Sequence, residues 1–142
     1  MKIHIGEAVT ALGIENFILD GEPTNETEFN SSFKKIVGAK GDEAVMSSDP
    51  STFGVTWEQV KTKYDELVSA EPYKLLREKR NKLIVETDWT QLKDISLDSI
   101  REKNWKDYRQ VLRDLPNNST PNLDNNGNLN MSSVNWPDKP ST

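Results

Sequence analysis

The sequence lacks the residues on which many enzyme and metal sites are built. It contains no cysteine and a single histidine, His4. Without thiols the chain has no disulfide framework, no thiolate nucleophile and no cysteine-ligated zinc site. His4 lies next to the N-terminus, where an exposed or strand-edge imidazole is far more common than a catalytic base. We therefore expect no nucleophilic catalysis of the serine–histidine or cysteine–histidine type.

Phosphate-binding and calcium-binding patterns are missing as well. The seven glycines are scattered and form no phosphate-binding loop, and the acids before Pro50 lack the spacing of a calcium loop. Glu86 and Asp88 could act as paired carboxylates in acid–base chemistry, but Asp88 fits better as a local cap after a long helix. The sequence thus predicts a non-enzymatic protein with no catalytic residue, no cofactor and no metal.

Long apolar runs are scarce. No stretch approaches the roughly 20 apolar residues of a transmembrane helix, and the first residues do not have the pattern of a signal peptide. We therefore expect no membrane partner and synthesis in a cytosol. Only 34% of the residues are hydrophobic, which is typical of a modest core.

Negative charge is in excess, but it is unevenly distributed. The net charge is -5, with -5 on residues 1–55, +1 on residues 56–116 and -1 on residues 117–142. A nucleic-acid-binding domain usually has a basic excess. The basic run that begins at Arg77 is interrupted by Glu78, so a solvated helix face is a better interpretation than a nucleic-acid surface. We expect no nucleic-acid partner.

Residues 1–55 predict a small α+β module. A short helix over residues 7–12 precedes a short strand over residues 16–20. The connector over residues 41–55 contains a second short strand at Glu43–Ser47.

A second helix is predicted between these two strands. Thr24 is placed to cap it, and acids follow in its first turn. Its buried face is predicted from the helical spacing of Phe29, Phe33, Ile36 and Val37. Gly38 is expected to end the helix.

Residues 56–116 predict a helical hairpin. Thr56 and Gln59 form a capping-box pattern at the start of a long helix. Pro72 removes one backbone hydrogen bond from that helix, so a kink or break is expected nearby. A turn-rich joint follows over residues 87–96.

The second helix of the hairpin is predicted over about residues 97–115. Ser96 is its expected cap, and Pro116 is expected to end it. Because Tyr108 and Arg109 are adjacent, we do not expect both to point into the core. One should pack inward, while the other bonds a carbonyl, an acid or a partner. The buried face should comprise Ile100, Trp105, Tyr108, Val111, Leu112 and Leu115.

Residues 117–142 predict an irregular tail rich in Asn and Pro. Its last apolar cluster surrounds Trp136, which either folds back onto the helices or docks on another protein. Trp89 and Trp105 are expected in the core. The expected fold class is mainly helical α+β, with a small N-terminal module, a long helix that contains Pro72, a helical hairpin and an irregular tail.

Three sequence blocks follow one another in the C-terminal half. The first contains Arg77-Glu78-Lys79-Arg80-Asn81 and, after one more helical turn, Thr87-Asp88-Trp89-Thr90. The second is Trp105-Lys106-Asp107-Tyr108-Arg109-Gln110-Val111-Leu112-Arg113-Asp114-Leu115-Pro116, and the third is Asn135-Trp136-Pro137-Asp138-Lys139-Pro140. Over about residues 73–140 these blocks resemble the phage tail assembly chaperone family, with a looser similarity to tail-fibre assembly proteins.

The resemblance implies a non-catalytic chaperone of phage tail or tail-fibre assembly, which binds a tail or fibre protein in the host cytoplasm. The alternative is a structural component of the virion, a tail or fibre-attachment subunit that carries the same domain. A homo-oligomer is left open. The residues expected to contact the partner are Arg77, Arg80, Tyr108, Arg109, Trp136 and Pro137.

Trp105 is expected to be a large, fully buried side chain of the second helix. Replacement by alanine should therefore lower the free energy of unfolding by about 3–5 kcal/mol, because it leaves a cavity and removes apolar contacts. Thermal unfolding followed by circular dichroism measures this loss. An unchanged melting midpoint would mean that the indole lies at the surface.

Overall fold

The computed structural model describes residues 2–141 and confirms a mainly helical α+β fold. Two compact units are present, an N-terminal unit over Lys2–Ser69 and a C-terminal unit that begins at Ala70. In chain order the elements are α1 (Ile5–Ala11), β1 (Phe17–Leu19), α2 (Glu26–Ser32), β2 (Phe33–Lys40), β3 (Glu43–Ser47), α3 (Trp57–Val85) and α4 (Ser99–Asn118). Short 3-10 turns cover Pro50–Thr52, Asp88–Gln91 and Met131–Ser133.

Aromatic rings form the centre of the N-terminal unit. The Phe33 ring lies 4.5 Å from the Phe53 ring and 5.0 Å from the Phe29 ring, measured between centroids. Around these rings pack buried aliphatic side chains from α1, from the segment before α3 and from α3 itself: Ile5, Ala8, Val9, Val55 and Val60. Because the first turns of α3 belong to this core, the N-terminal unit extends to Ser69.

The two predicted short strands are confirmed as β1 and β3, whereas the predicted helix from Thr24 to Val37 is wrong after Ser32. There α2 ends and Phe33–Lys40 forms β2, the central strand of an antiparallel sheet in the order β1-β2-β3. The helical spacing of the apolar residues was misleading because Phe33 pairs with Leu19 of β1 and also fills the core. Non-local pairing of this kind overrides local periodicity.

The cap of α2 also differs from the prediction. The Asn25 side chain, not that of Thr24, accepts the hydrogen bond from the backbone N–H of Glu28, at 2.8 Å. Thr24 instead donates its own N–H and its hydroxyl to the Glu28 carboxylate. These hydrogen bonds lower the pKa of Glu28 below its usual value, because they favour the ionised form.

The long helix α3 begins as predicted. The Gln59 N–H donates to the Thr56 hydroxyl at 3.2 Å, and the Thr56 N–H donates to the Gln59 side-chain oxygen at 3.0 Å. The predicted break at Pro72 is not found, since α3 is continuous from Trp57 to Val85. A proline removes one hydrogen bond of the helix, and a helix of 29 residues keeps many others on either side.

Helix α4 follows the predicted joint but differs at both ends. Asp98, rather than Ser96, caps it by accepting a hydrogen bond from the Arg101 N–H at 2.8 Å. The helix also continues through Pro116 to Asn118. Pro116 has no N–H to donate to the Leu112 carbonyl, and the helix ends two residues after it.

Phe33 contacts other aromatic rings and has no exposed surface. Phe33→Ala should lower the free energy of unfolding of the N-terminal unit by about 3–5 kcal/mol through the cavity it leaves. Val37→Ala in the same strand is the control, because Val37 is exposed and should change stability by no more than about 0.5 kcal/mol. Urea unfolding of both variants makes the comparison, and equal losses would contradict the central role of the aromatic cluster.

Candidate partner-binding site

Helix α4 has a buried face and an exposed line of apolar and polar side chains. Trp105, Tyr108, Leu112 and Leu115 are buried together with Leu76 of α3 and Val134 of the tail. The prediction that Ile100 and Val111 also lie on this face is wrong, because they are 73% and 45% exposed. Both lie instead on one line with Asn104 and Asp107, at spacings of four, three and four residues, which is a second face of the helix.

Arg109 is buried and ties α4 to the end of α3. The residue is 7% exposed, and Nη1 donates to the Ile84 carbonyl at 3.0 Å, the Thr87 hydroxyl at 2.8 Å and the Asp88 carboxylate at 3.0 Å. Asp88 is therefore an ion-pair partner of Arg109, and the predicted capping role for Asp88 is wrong. These charge-assisted hydrogen bonds fix the position of α4 along α3 at the joint.

Tyr108 and Arg109 are both buried, contrary to the prediction that only one of them enters the core. The second half of that prediction is confirmed, because Arg109 bonds a carbonyl and an acid while Tyr108 packs inward. The Tyr108 ring packs edge-on against Trp105 with centroids 5.9 Å apart, while Arg109 reaches the backbone of the joint. Burial raises the pKa of Tyr108 above its usual value, and the negative charge of Glu86 adds to this effect. The phenol therefore stays protonated, and able to donate a hydrogen bond, throughout the physiological pH range.

The tail folds back onto the helices of its own unit. An isolated bridge between Leu123 and Leu129 closes a loop, and the Asn130 N–H donates to the Asn122 carbonyl at 2.8 Å. Val134 is buried, and Trp136 packs half-buried against the same cluster. Of the two alternatives predicted for Trp136, the structure has the one in which it returns to the helices.

A shallow groove lies between the exposed line of α4 and the end of the tail. Its volume is about 440 Å³. One wall is formed by Asn104, Asp107, Tyr108 and Val111, and the other by residues 137–141. Two prolines of the tail wall, Pro137 and Pro140, have fixed φ angles and no N–H to satisfy. The groove thus joins a rigid, partly apolar wall to a helix face with polar side chains.

The groove unites two of the predicted partner-binding residues, Tyr108 and Pro137. Arg109 points away from it into the joint. Arg77 is exposed and lies 5.9 Å from the centre of the Tyr73 ring, while Arg80 donates to the Arg113 carbonyl at 3.3 Å.

Seven residues of the groove were missed from the sequence: Asn104, Asp107, Val111, Asp138, Lys139, Pro140 and Ser141. The three α4 residues carry a signal that could have revealed them, since they recur at helical spacing on the side of α4 away from Trp105. The position of Pro140 depends on the path of the tail, for which the sequence has no periodic signal.

Two absences hold within the part of the chain that the structure describes. Across residues 2–141 no group of three or more His, Asp or Glu side chains is arranged to hold a metal ion. None of the helices described there combines the length and the apolar character needed to cross a membrane.

The C-terminal unit is therefore a helical module with a folded-back tail and an open groove. Residues 73–141 match the family described as phage tail assembly chaperone protein, which confirms the resemblance noted in the sequence. The matched span covers nearly all of the C-terminal unit. Neither a curated protein nor a solved structure matches the chain.

The buried Arg109 contacts predict a specific loss of stability. Arg109→Met keeps most of the side-chain length but removes the hydrogen bonds that Nη1 donates to three oxygen atoms. It should lower the free energy of unfolding by about 2–3 kcal/mol. Arg101→Met is the control on the same helix, because Arg101 forms only an exposed pair with Asp98 and should change stability by no more than about 0.5 kcal/mol. Urea unfolding compares the two variants. An unchanged midpoint for Arg109→Met would contradict the conclusion that Arg109 holds α4 against the end of α3.

Proposed function

We propose that this protein is a chaperone of phage tail or tail-fibre assembly that binds a tail or fibre protein in the groove between α4 and the tail. The observation that carries the proposal is the meeting of the three sequence blocks in one unit. Arg109 of the second block bonds Thr87 and Asp88 of the first. Tyr108 of the second block and Pro137 of the third line the same groove.

The chemistry of the groove suits a protein partner. Protein interfaces combine an apolar centre with a polar rim. Here Val111, Pro137 and Pro140 offer the apolar centre, and Asn104 and Asp107 offer hydrogen-bonding groups at its side. An apolar side chain of the tail or fibre protein fits between Val111 and the prolines.

The remaining predicted residues divide into two roles under this proposal. Arg109 and Trp136 position the groove, because Arg109 fixes α4 at the joint and Trp136 anchors the tail on the core. Arg77 is exposed on α3 and is proposed as a secondary contact outside the groove. Arg80 already donates to the Arg113 carbonyl, so we propose a contact through its remaining N–H groups.

The proposed action is binding without catalysis, in the host cytoplasm while tails are assembled. The competing role is that of a virion component which carries the same domain. Mass spectrometry of purified particles separates the two roles. A transient chaperone should be absent or far below the stoichiometry of tail proteins, whereas a stoichiometric amount in particles would favour the structural role.

The groove predicts which surface change abolishes binding. Val111→Glu places a charge in the apolar centre beside Asp107, and should weaken binding of the tail protein about tenfold or more, a loss that corresponds to about 1.4 kcal/mol. Co-expression with neighbouring tail genes and pull-down identifies the partner, and titration calorimetry measures the affinity.

The matched control is Ile100→Glu. Ile100 is an exposed apolar residue of the same helix that does not line the groove. It should bind the partner as the wild type does. Equal affinity of the wild type, Val111→Glu and Ile100→Glu would exclude the groove as the binding site. A failure to capture any tail or fibre protein would argue against the chaperone role itself.

A further inference from the structure

The hairpin formed by β2 and β3 extends beyond the core of the N-terminal unit. Every residue from Val37 to Met46 is exposed, including apolar ones, and Val45 is 42% exposed. Strand β3 forms one edge of the sheet. Edge strands are usually protected by lysine, proline or a bulge, but β3 reads Glu43-Ala44-Val45-Met46-Ser47 and has neither lysine nor proline. The bulge of this hairpin lies on β2, between Ile36 and Gly38.

The register of the hairpin determines which backbone groups of β3 are free. Lys40 and Glu43 flank a two-residue loop in which Gly41 has a φ of +61°, and such a loop is closed by a hydrogen-bonded pair. Hydrogen-bonded and non-hydrogen-bonded residues then alternate along an antiparallel strand. The backbone groups of Val45 therefore face β2, and those of Ala44 and Met46 face the open edge.

This alternation of backbone groups allows two β3 strands to pair about a two-fold axis. If two β3 strands run antiparallel with Val45 at the two-fold axis, Ala44 of each strand lies opposite Met46 of the other. Those are the residues whose N–H and C=O groups point outward, so they form the hydrogen-bonded pairs. Val45 then meets Val45 of the second copy as a non-hydrogen-bonded pair, in which the two Cα atoms are about 4.5 Å apart.

The side chains in this register are complementary. On one face Ala44 has Ala39 beside it and Met46 has Ile36 beside it, so the paired strands form two apolar rows across four strands. On the other face Glu43 lies between Lys40 of its own hairpin and Ser47 of the second copy. Like charges directly opposite each other would be destabilising, and this register contains no such pair.

We propose that a second copy of this chain pairs with the open edge of β3, in a two-fold antiparallel arrangement centred on Val45. The pairing extends the sheet from three strands to six. It is independent of the groove between α4 and the tail. Five paired residues bury less than the roughly 1,200 Å² of a stable interface, so the dimer is weak and concentration-dependent.

Long-range charge opposes this association without preventing it. The N-terminal unit, Lys2–Ser69, carries six lysines and twelve acids, which gives a net charge of -6. Salt screens such repulsion over a Debye length of about 8 Å at physiological ionic strength, whereas the local pairing across β3 contains no like-charge contact. The test therefore uses physiological salt or higher.

Disulfide trapping tests the register directly, because the chain has no cysteine of its own. In the full-length Val45→Cys variant the two Cα atoms should lie within the disulfide range of about 4.4–6.8 Å. Glu43→Cys is the control for register, since its two copies would be about 14 Å apart along the paired strands. Val37→Cys is the control for exposure, because Val37 is as exposed as Val45 but lies on β2.

Mild oxidation should convert Val45→Cys to a covalent dimer much faster than either control. Equilibrium sedimentation of the wild type should show a mass that rises with concentration toward that of a dimer. Val45→Lys should remain a monomer, because it places two like charges opposite each other at the axis. A monomeric wild type at every concentration, a Val45→Lys variant that dimerises as the wild type does, or equal trapping of Val45→Cys and either control would overturn the proposal.

Discussion

The buried guanidinium of Arg109 is the interaction on which the C-terminal unit depends. One nitrogen meets the Ile84 carbonyl, the Thr87 hydroxyl and the Asp88 carboxylate, and so links α4 to the last turn of α3 and to the joint. An unpaired buried charge is costly, whereas a paired one fixes geometry. With α4 held in this register, its opposite side is left to meet the tail, and the groove is formed there. A buried residue thus fixes the helix that forms one wall of the groove.

The N-terminal unit has a compact aromatic core, and two of its strands extend beyond that core. Phe29, Phe33 and Phe53 bury the base of the sheet, but β2 and β3 continue past them to the loop at Gly41. An ordinary antiparallel sheet has one buried and one solvated face. Beyond the core both faces of this hairpin are solvated and still carry apolar residues, which is why it is the part of the unit suited to association.

Sequence patterns identified the elements whose signals are local. The capping box at Thr56 and Gln59, the short strands β1 and β3, and the turn-rich joint all depend on neighbouring residues. The patterns failed where a distant partner decided the outcome. Phe33 has helical spacing from Phe29, yet it pairs with Leu19 of β1. Ile100 and Val111 are apolar residues at helical spacing, yet they lie on an exposed face of α4.

The amino-acid sequence by itself determined the mainly helical class, the phage tail assembly chaperone resemblance of the C-terminal half and the capped start of α3, because these depend on residue type and short spacings. Only the tertiary structure decided that Arg109 is an internal brace and that Tyr108 and Pro137 share a groove. The tertiary structure also decided that Trp136 packs back against the helices. Such relations join residues more than 20 positions apart, and the path of an irregular tail is set by the packing it finds and not by any periodic signal within it.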